Sequence, residues 1–159
     1  MSQNPPAARR INGAKFRIGI VAARFNEVLV DGLLARLQAG LRTAGVPGSR
    51  IKLVRVPGSH EVPWAAGRLA ASRRFDCVVA LGVLIGGDTN HHELVGQSVS
   101  HALQRVALDT GTPVINGVIV TATAAQARVR CLGRIDRGAE FAAAALAMAE
   151  LKTTLKGKS

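Results

Sequence analysis

The sequence is poor in aromatic residues, with no tyrosine, one tryptophan and four phenylalanines among 159 residues. It therefore lacks a basic stretch interleaved with aromatic side chains, of the kind that stacks unpaired bases. The formal net charge of +11 would by itself favour nucleic acid, but much of it lies in the two terminal segments, where solvation explains it. We expect no nucleic-acid partner, while a small anionic substrate stays compatible with the excess charge.

Cysteine and long apolar runs are also scarce. Cys77 and Cys131 are the two cysteines, and their spacing predicts neither a disulfide framework nor a zinc site. No apolar run approaches the roughly 20 residues of a membrane span, and residues 1–15 lack the apolar core of a signal peptide. These features favour a protein of the reducing cytoplasm that makes no membrane contact.

What the chain does have is a regular alternation of strand and helix patterns. Apolar runs at 16–23, 51–56, 76–85 and 113–120 predict four strands. Apolar spacing or composition predicts helices from 25 up to Gly45, then at 61–73, 92–111, 124–131 and 137–151. This order indicates an α/β protein with an open parallel four-stranded sheet and helices on both faces, a flavodoxin-like three-layer sandwich. We expect one domain over 16–152, an N-terminal segment 1–15 and a basic tail 153–159.

Unusual polar segments follow the first three predicted strands. They read AARFN, VPGSHE and GGDTNHH. Because ligands of open parallel sheets bind beyond the carboxyl ends of the strands, these three tips should converge on one crevice.

The third tip has the character of an anion site. Gly86 and Gly87 let backbone amides approach a ligand, and Asp88 or Thr89 can cap the following helix, whose amino end favours phosphate. The spacing matches no mononucleotide or dinucleotide motif. A tight strand-to-helix turn, with glycine serving only its geometry, is the alternative.

His91 and His92 follow that turn directly. Adjacent residues on a helix point about 100° apart, and no third ligand lies at a suitable spacing, so we expect no metal site. One histidine facing the crevice could transfer protons near neutral pH. From position alone, a capping or solvated pair is equally consistent.

Taken in order over residues 15–152, the segments ARFN, VPGSHEVPWAA, ALGVLIGGDTNHHELV, GTPVINGVIVT and RGAEFAAAAL resemble the lumazine synthase family of riboflavin biosynthesis. The resemblance implies condensation of 5-amino-6-(D-ribitylamino)uracil with 3,4-dihydroxy-2-butanone 4-phosphate, with no metal and no organic cofactor. It also implies a homo-oligomer built from pentamers, with active sites between subunits, and makes riboflavin synthase a candidate partner. Residues before Phe16, including Ile11 and Gly13, would lie on an adjacent subunit.

The resemblance assigns a role to individual residues. His91 is the implied proton-transfer residue. The implied substrate-binding residues are Phe25, which would stack on the heterocycle, with Ser59, His60, Glu61, Leu84, Ile85, Asn116 and Arg137; the implied phosphate-binding residues are Gly87, Asp88, Thr89 and Arg130. Residue type alone also allows Phe25 to be a core residue and Glu61 to be an acid of a first helical turn.

Some positions depart from the family pattern. Gly86 replaces a basic residue, and His92 and Asn116 each replace a phenylalanine. Arg134 competes with Arg137 for the position of the family lysine. Two other classes of function remain open: a non-catalytic relative that binds flavin or lumazine or serves mainly as an assembled shell, and the basic nucleic-acid binder that the composition disfavours.

Overall fold

The computed structural model describes residues 9–156, and strands and helices alternate along them. The strands are β1 (Ile18–Ala23), β2 (Ile51–Val56), β3 (Cys77–Ile85) and β4 (Val114–Thr121). The helices are α1 (Glu27–Thr43), α2 (Val62–Ala71), α3 (His91–Thr110), α4 (Ala124–Cys131) and α5 (Arg137–Lys156). Short 3₁₀ turns occur at Gly48–Arg50 and Ser59–Glu61.

The four strands form one parallel sheet in the order β2-β1-β3-β4. Ile18 of β1 pairs with Ile51 of β2 on one side and with Cys77 of β3 on the other. All six residues of β1 are buried, as expected for a central parallel strand that is covered on both faces. The predicted fold class is confirmed.

Alternate residues of the central strands feed two separate hydrophobic cores. Ile20 and Leu81 face a core made with α1, α4 and α5, whereas Val21 and Ala80 face a core made with α2 and α3. Because neighbouring side chains in a strand point to opposite faces, one run of apolar residues supplies both cores. The result is three layers, with the carboxyl ends of all strands at one edge of the sheet.

Helix ends follow the glycine signals in the sequence. Gly45 and Gly111, just past α1 and α3, have φ values of 91° and 66°, which glycine adopts without a steric penalty. At the other end of the chain, α5 continues past the expected end at Leu151 to Lys156. Residues 153–156 of the predicted tail are therefore helical, and 157–159 lie outside the described residues.

Residues 11–13 make contacts with their own chain. Ile11 contacts the core beneath α1 and α5, and the Gly13 N–H donates to the Ala44 carbonyl oxygen over 2.7 Å. A Cβ at Gly13 would come within 2.6 Å of Val46, so this contact requires glycine. Ile11 and Gly13 thus have an explanation within one subunit, while residues 1–8 lie outside the described part.

Across residues 9–156, no helix is both long enough and apolar enough to cross a membrane.

Candidate active site

The first three strand tips are joined to one another by hydrogen bonds. The Arg24 N–H donates to the Val56 carbonyl oxygen over 2.8 Å, and the Phe25 N–H donates to the Pro57 carbonyl oxygen over 3.0 Å. Asn26 Nδ2 donates to the Val83 carbonyl oxygen over 2.8 Å. The tips of β1, β2 and β3 therefore converge, as the sequence predicts.

A cleft of about 380 Å³ opens between these tips and the amino end of α3. Its size lies within the range usual for small-molecule sites. The structure brings most of the expected site residues together here: Phe25, Ser59, His60, Glu61, Leu84, Ile85, Gly87, Thr89 and His91 all line the cleft.

Phe25 offers its ring to the cleft and contributes little to the core. Its side chain is 75% exposed, which excludes the alternative of a buried core phenylalanine. The next residue, Asn26, has left-handed backbone angles of φ 57° and ψ 43°, a conformation that asparagine tolerates better than most residues. This bend turns the chain from β1 into α1 and leaves the Phe25 ring at the rim, available for stacking.

The turn after β2 holds Glu61 in a defined position. Glu61 Oε2 accepts a hydrogen bond from the Gly58 N–H over 2.9 Å, so this carboxylate does act as a first-turn acid, one of its two possible roles. Its other oxygen, Oε1, lies 3.9 Å from His60 Nδ1. A carboxylate has about four acceptor sites, and capacity therefore remains for hydroxyl groups of a ligand.

Ser59 lies beneath that turn and is buried against β3. Its Oγ has no hydrogen-bond partner within the described residues, and it contacts the position that a Cβ at Gly82 would occupy. Glycine at 82 therefore makes room for the serine. A buried hydroxyl without a partner is costly, and a ligand or water in the cleft could satisfy it.

The two glycines of the third tip differ in function. The Gly86 N–H donates to the Thr121 carbonyl oxygen over 2.8 Å, and a Cβ at Gly86 would meet the Ala122 carbonyl oxygen at 2.6 Å. Gly86 is thus required for packing against the end of β4. At Gly87, by contrast, a Cβ would meet nothing within 4 Å, so its side of the turn is open.

Backbone amides in this turn are available for an anion. Within residues 9–156, none of the N–H groups of residues 87–90 donates to a protein acceptor. Thr89 Oγ1 accepts from the His91 N–H over a long 3.4 Å, which gives weak capping at the start of α3. Unpaired amides and the positive end of a 20-residue helix both favour a negatively charged group.

His91 and His92 begin α3, and both line the cleft. His91 is exposed and His92 is half-buried. The Nδ1 atom of His92 is shielded from solvent and has no hydrogen-bond partner within the described residues. His91 is therefore the more accessible of the two, while His92 forms part of the wall.

Four expected site residues lie outside this cleft. Asp88 is exposed in the turn but is not part of the lining. Asn116 is exposed on the edge strand β4, where its Oδ1 accepts from the Val118 N–H over 3.1 Å. Arg130 donates to the Gln126 carbonyl oxygen on α4 over 3.1 Å, and Arg137 pairs with Glu140 on α5. One chain thus supplies only part of the expected site.

Asn26 and Val95 have no role in the site predicted from the sequence, and His92 is expected there only as a packing or polar substitute for the family phenylalanine. All three line the cleft. Signals for them exist in the sequence, since an asparagine directly after a strand tip favours left-handed angles. His92 and Val95 are three residues apart, and such residues share a helix face.

Metal and thiol chemistry have no obvious place in the described structure. Among residues 9–156, no three His, Cys, Asp or Glu side chains cluster closely enough to hold a metal ion. Burial raises the pKa of the Cys77 thiol to about 12 and that of Cys131 to about 11. Both thiols are therefore protonated and inert at neutral pH.

Comparison with known proteins identifies the family. Residues 15–153 match the family model for 6,7-dimethyl-8-ribityllumazine synthase. Proteins with that name from Ralstonia pickettii and Polaromonas sp. are 42% and 41% identical to the chain, over 92% and 89% of its length and 87% and 90% of theirs. The namesake from Azoarcus sp. is 38% identical over 92% of both chains. The chain belongs to the 6,7-dimethyl-8-ribityllumazine synthase family.

Proposed function

We propose that the protein catalyses the condensation of 5-amino-6-(D-ribitylamino)uracil with 3,4-dihydroxy-2-butanone 4-phosphate. The products are 6,7-dimethyl-8-ribityllumazine, phosphate and two molecules of water, and the reaction belongs to riboflavin biosynthesis. The observation that carries this proposal is the single cleft in which an exposed aromatic ring, a fixed carboxylate, unpaired amides and a histidine face one another.

The heterocyclic substrate binds at the tips of β1, β2 and β3. Its flat ring stacks on Phe25, whose exposed face supplies about 1 kcal/mol beyond area burial. Backbone groups at Leu84 and Ile85 meet the pyrimidine edge. The ribityl hydroxyls reach Glu61, and neighbouring Ser59 and His60 complete the turn that holds them.

The phosphate of the second substrate binds at the turn before α3. The unpaired amides of residues 87–90 and the Thr89 hydroxyl donate to its oxygens, and the amino end of the helix adds favourable electrostatics. Gly86 leaves no side chain at the position where the family usually has a basic residue. Cations of a neighbouring chain, Arg130 above all, would supply the positive charge that balances the phosphate.

His91 moves the protons. The substrate amine attacks the butanone carbonyl, and one water leaves to give an imine. Loss of a proton from the adjacent carbon and of phosphate then gives an enol, which tautomerises to a ketone. The ribityl-bearing nitrogen attacks this ketone, and a second water leaves as the ring closes. Each step needs a proton taken from nitrogen or carbon or given to a leaving oxygen, and an exposed imidazole at the cleft serves near neutral pH. Holding two reactants in line supplies much of the remaining acceleration.

The working form is a homo-oligomer based on pentamers, with each active site between two subunits. Two observations support this proposal: Asn116, Arg130 and Arg137 lie outside the cleft of their own chain, and large apolar side chains remain exposed. Such exposed apolar residues are common at interfaces; they include Phe25, Val28, Trp64, Leu94, Leu108 and Leu155. A pentamer, a decamer and a closed shell all remain compatible with the short turn between α4 and α5, and riboflavin synthase stays a candidate partner.

Of the two arginines that compete for the lysine position, Arg134 is exposed in the turn before α5, whereas Arg137 is half-buried and paired with Glu140. Moving Arg137 toward a substrate would break that pair. We therefore favour Arg134 for this position.

The protein works in the reducing cytoplasm, a location that the two free, buried cysteines support.

The deciding experiment mixes the purified protein with both substrates and follows the fluorescence of the lumazine product. Formation of product, slowed in the His91→Ala variant, supports the enzyme. Tight lumazine binding without product formation would instead support the non-catalytic relative. That alternative is not favoured, because the cleft retains Phe25, Glu61, Thr89 and His91 together.

A further inference from the structure

A second cleft, of about 260 Å³, lies at the amino ends of the strands, opposite to the carboxyl ends where His91 lies. Arg17 precedes β1, Arg50 and Lys52 flank the start of β2, and Arg74 precedes β3. Because the strands are parallel and Ile18 pairs with both Ile51 and Cys77, their amino ends meet at this edge. We call this site the basic cleft and define it by Arg17, Arg50, Lys52 and Arg74, with Leu69 and Phe75 as its apolar wall.

The cations of the basic cleft differ from those arginines of this chain that pair with acids. Arg55 pairs with Glu27 and Asp31, and Arg105 pairs with Asp109. Within residues 9–156, no ion pair involves any of the four cations of the basic cleft. Like charges brought together in this way repel one another, and salt or a bound anion weakens the repulsion.

Backbone contacts fix part of this arrangement. Arg50 Nη1 donates to the Lys15 carbonyl oxygen over 2.6 Å, which anchors its guanidinium near the cleft. Asp76, the nearest carboxylate in sequence, accepts from the Arg17 backbone N–H over 2.8 Å. That bond uses Asp76 Oδ2 for the main chain, and the Arg17 side chain makes no ion pair with it.

The apolar wall of the basic cleft strengthens the electrostatic field of its cations. Phe75 is buried and Leu69 is half-buried, so one side of the cleft is apolar and screens charge less than water does. Its volume is below the roughly 300 Å³ at which sites for drug-sized ligands begin. A compact anion with more than one charge therefore matches both its size and its charge.

We propose that the basic cleft binds a small polyvalent phosphate, such as pyrophosphate or a short phosphate ester. The planar donors of Arg17, Arg50 and Arg74 match pairs of phosphate oxygens, and Lys52 adds a point charge. This site is separate from the phosphate-binding turn at 87–90, because the two lie at opposite ends of the strands. It would exist whether or not the proposed condensation is correct.

Calorimetric titration of the full chain with pyrophosphate, at low salt and at about 0.15 M salt, tests this proposal. The variant Lys52→Ala/Arg74→Ala should lose one class of sites, with affinity reduced at least tenfold. The matched control Arg105→Ala/Arg128→Ala removes the same charge from exposed positions outside the basic cleft and should keep wild-type binding. Both variants should retain lumazine formation and the wild-type oligomeric size, which shows that they are folded.

Thr89→Ala separates the two anion sites, because it alters the turn before α3 and leaves the basic cleft intact. If Thr89→Ala abolishes pyrophosphate binding while Lys52→Ala/Arg74→Ala has the wild-type isotherm, the basic cleft is not a site and the proposal is wrong. Equal losses of pyrophosphate affinity in the two double variants would show that binding depends only on net charge, and this result would also overturn the proposal. So would a preference of the wild-type cleft for a short DNA duplex over pyrophosphate.

Discussion

Asn26 Nδ2 donates to the Val83 carbonyl oxygen over 2.8 Å, beyond the last β1–β3 backbone pair, Ala22 with Leu81. The asparagine side chain thus continues the hydrogen bonding of the sheet after β1 has turned away. In doing so it connects the bend that exposes Phe25 to the strand that ends at Leu84 and Ile85. One amide group therefore fixes the relative position of two walls of the candidate site.

Replacing Asn26 separates its two contributions. Asn26→Gly keeps the left-handed backbone but loses the hydrogen bond, which should lower the free energy of unfolding by about 1 kcal/mol. Asn26→Ala should cost about 1 kcal/mol more, because a Cβ disfavours that conformation. Urea denaturation measures both, and equal stability of the two variants would mean that backbone conformation contributes nothing here.

Phe25→Ala should weaken binding of ribitylaminouracil and of lumazine analogues by about tenfold, since one stacking face is lost. Phosphate affinity and thermal stability should change little, because the ring is mostly exposed. Val28→Ala, which removes another exposed apolar side chain outside the cleft, is the control. Calorimetry measures the affinity for a lumazine analogue. If the Phe25→Ala variant binds the analogue as tightly as the wild type does, Phe25 is not part of the site.

His91 and His92 should respond differently to replacement. His91→Ala should lower kcat by about tenfold or more, toward the lower part of the range for loss of an acid–base group. His92→Ala should be milder, and His92→Phe milder still, because a ring of similar size refills the cleft wall and the unpartnered Nδ1 is removed. Steady-state kinetics on folded variants checks this, and equally large losses at both positions would show that the roles are wrongly divided.

Mixed assemblies test the shared active site. Phe25→Ala and Arg130→Ala chains should each be impaired alone, but random co-assembly should leave about a quarter of the interfaces with both intact residues. Activity should therefore rise when the two variants are unfolded and refolded together, and not when they are mixed after assembly. No gain in co-refolded samples, or an active monomer by light scattering, would contradict sites between subunits.

The buried thiols predict a loss of stability in alkali. Burial raises the pKa of Cys77 from its ordinary 9.0 to about 12, so the unfolded chain releases that proton near pH 9 while the native chain keeps it. The contribution is fully present below pH 9 and is lost as the pH rises toward 12, by about 1.4 kcal/mol per pH unit. Cys77→Ala should flatten this slope in denaturant titrations between pH 8 and about 11, and an unchanged slope would assign it to other groups.

The sequence was sufficient for the sheet and for most of the cleft because both depend on local signals. Continuous apolarity marked β1 and β3, and polar residues at their ends marked the tips that converge. The role of Gly86 depends on the approach of the Ala122 carbonyl oxygen, just past the end of β4. Such a long-range contact leaves no local pattern. Whether Asn116 and Arg130 complete the site depends on subunit geometry, which a single chain does not specify.

Ser59 and Gly82 share a single small volume between the turn after β2 and strand β3. Neither position can change freely, because a methyl group at 82 has space only if the side chain at 59 shrinks. If both residues are to change, the side chain at 59 must therefore become smaller before the residue at 82 becomes larger. The reverse order leads through an overpacked intermediate. The order of mutational steps, and with it the set of sequences reachable from this one, is constrained at the floor of the cleft.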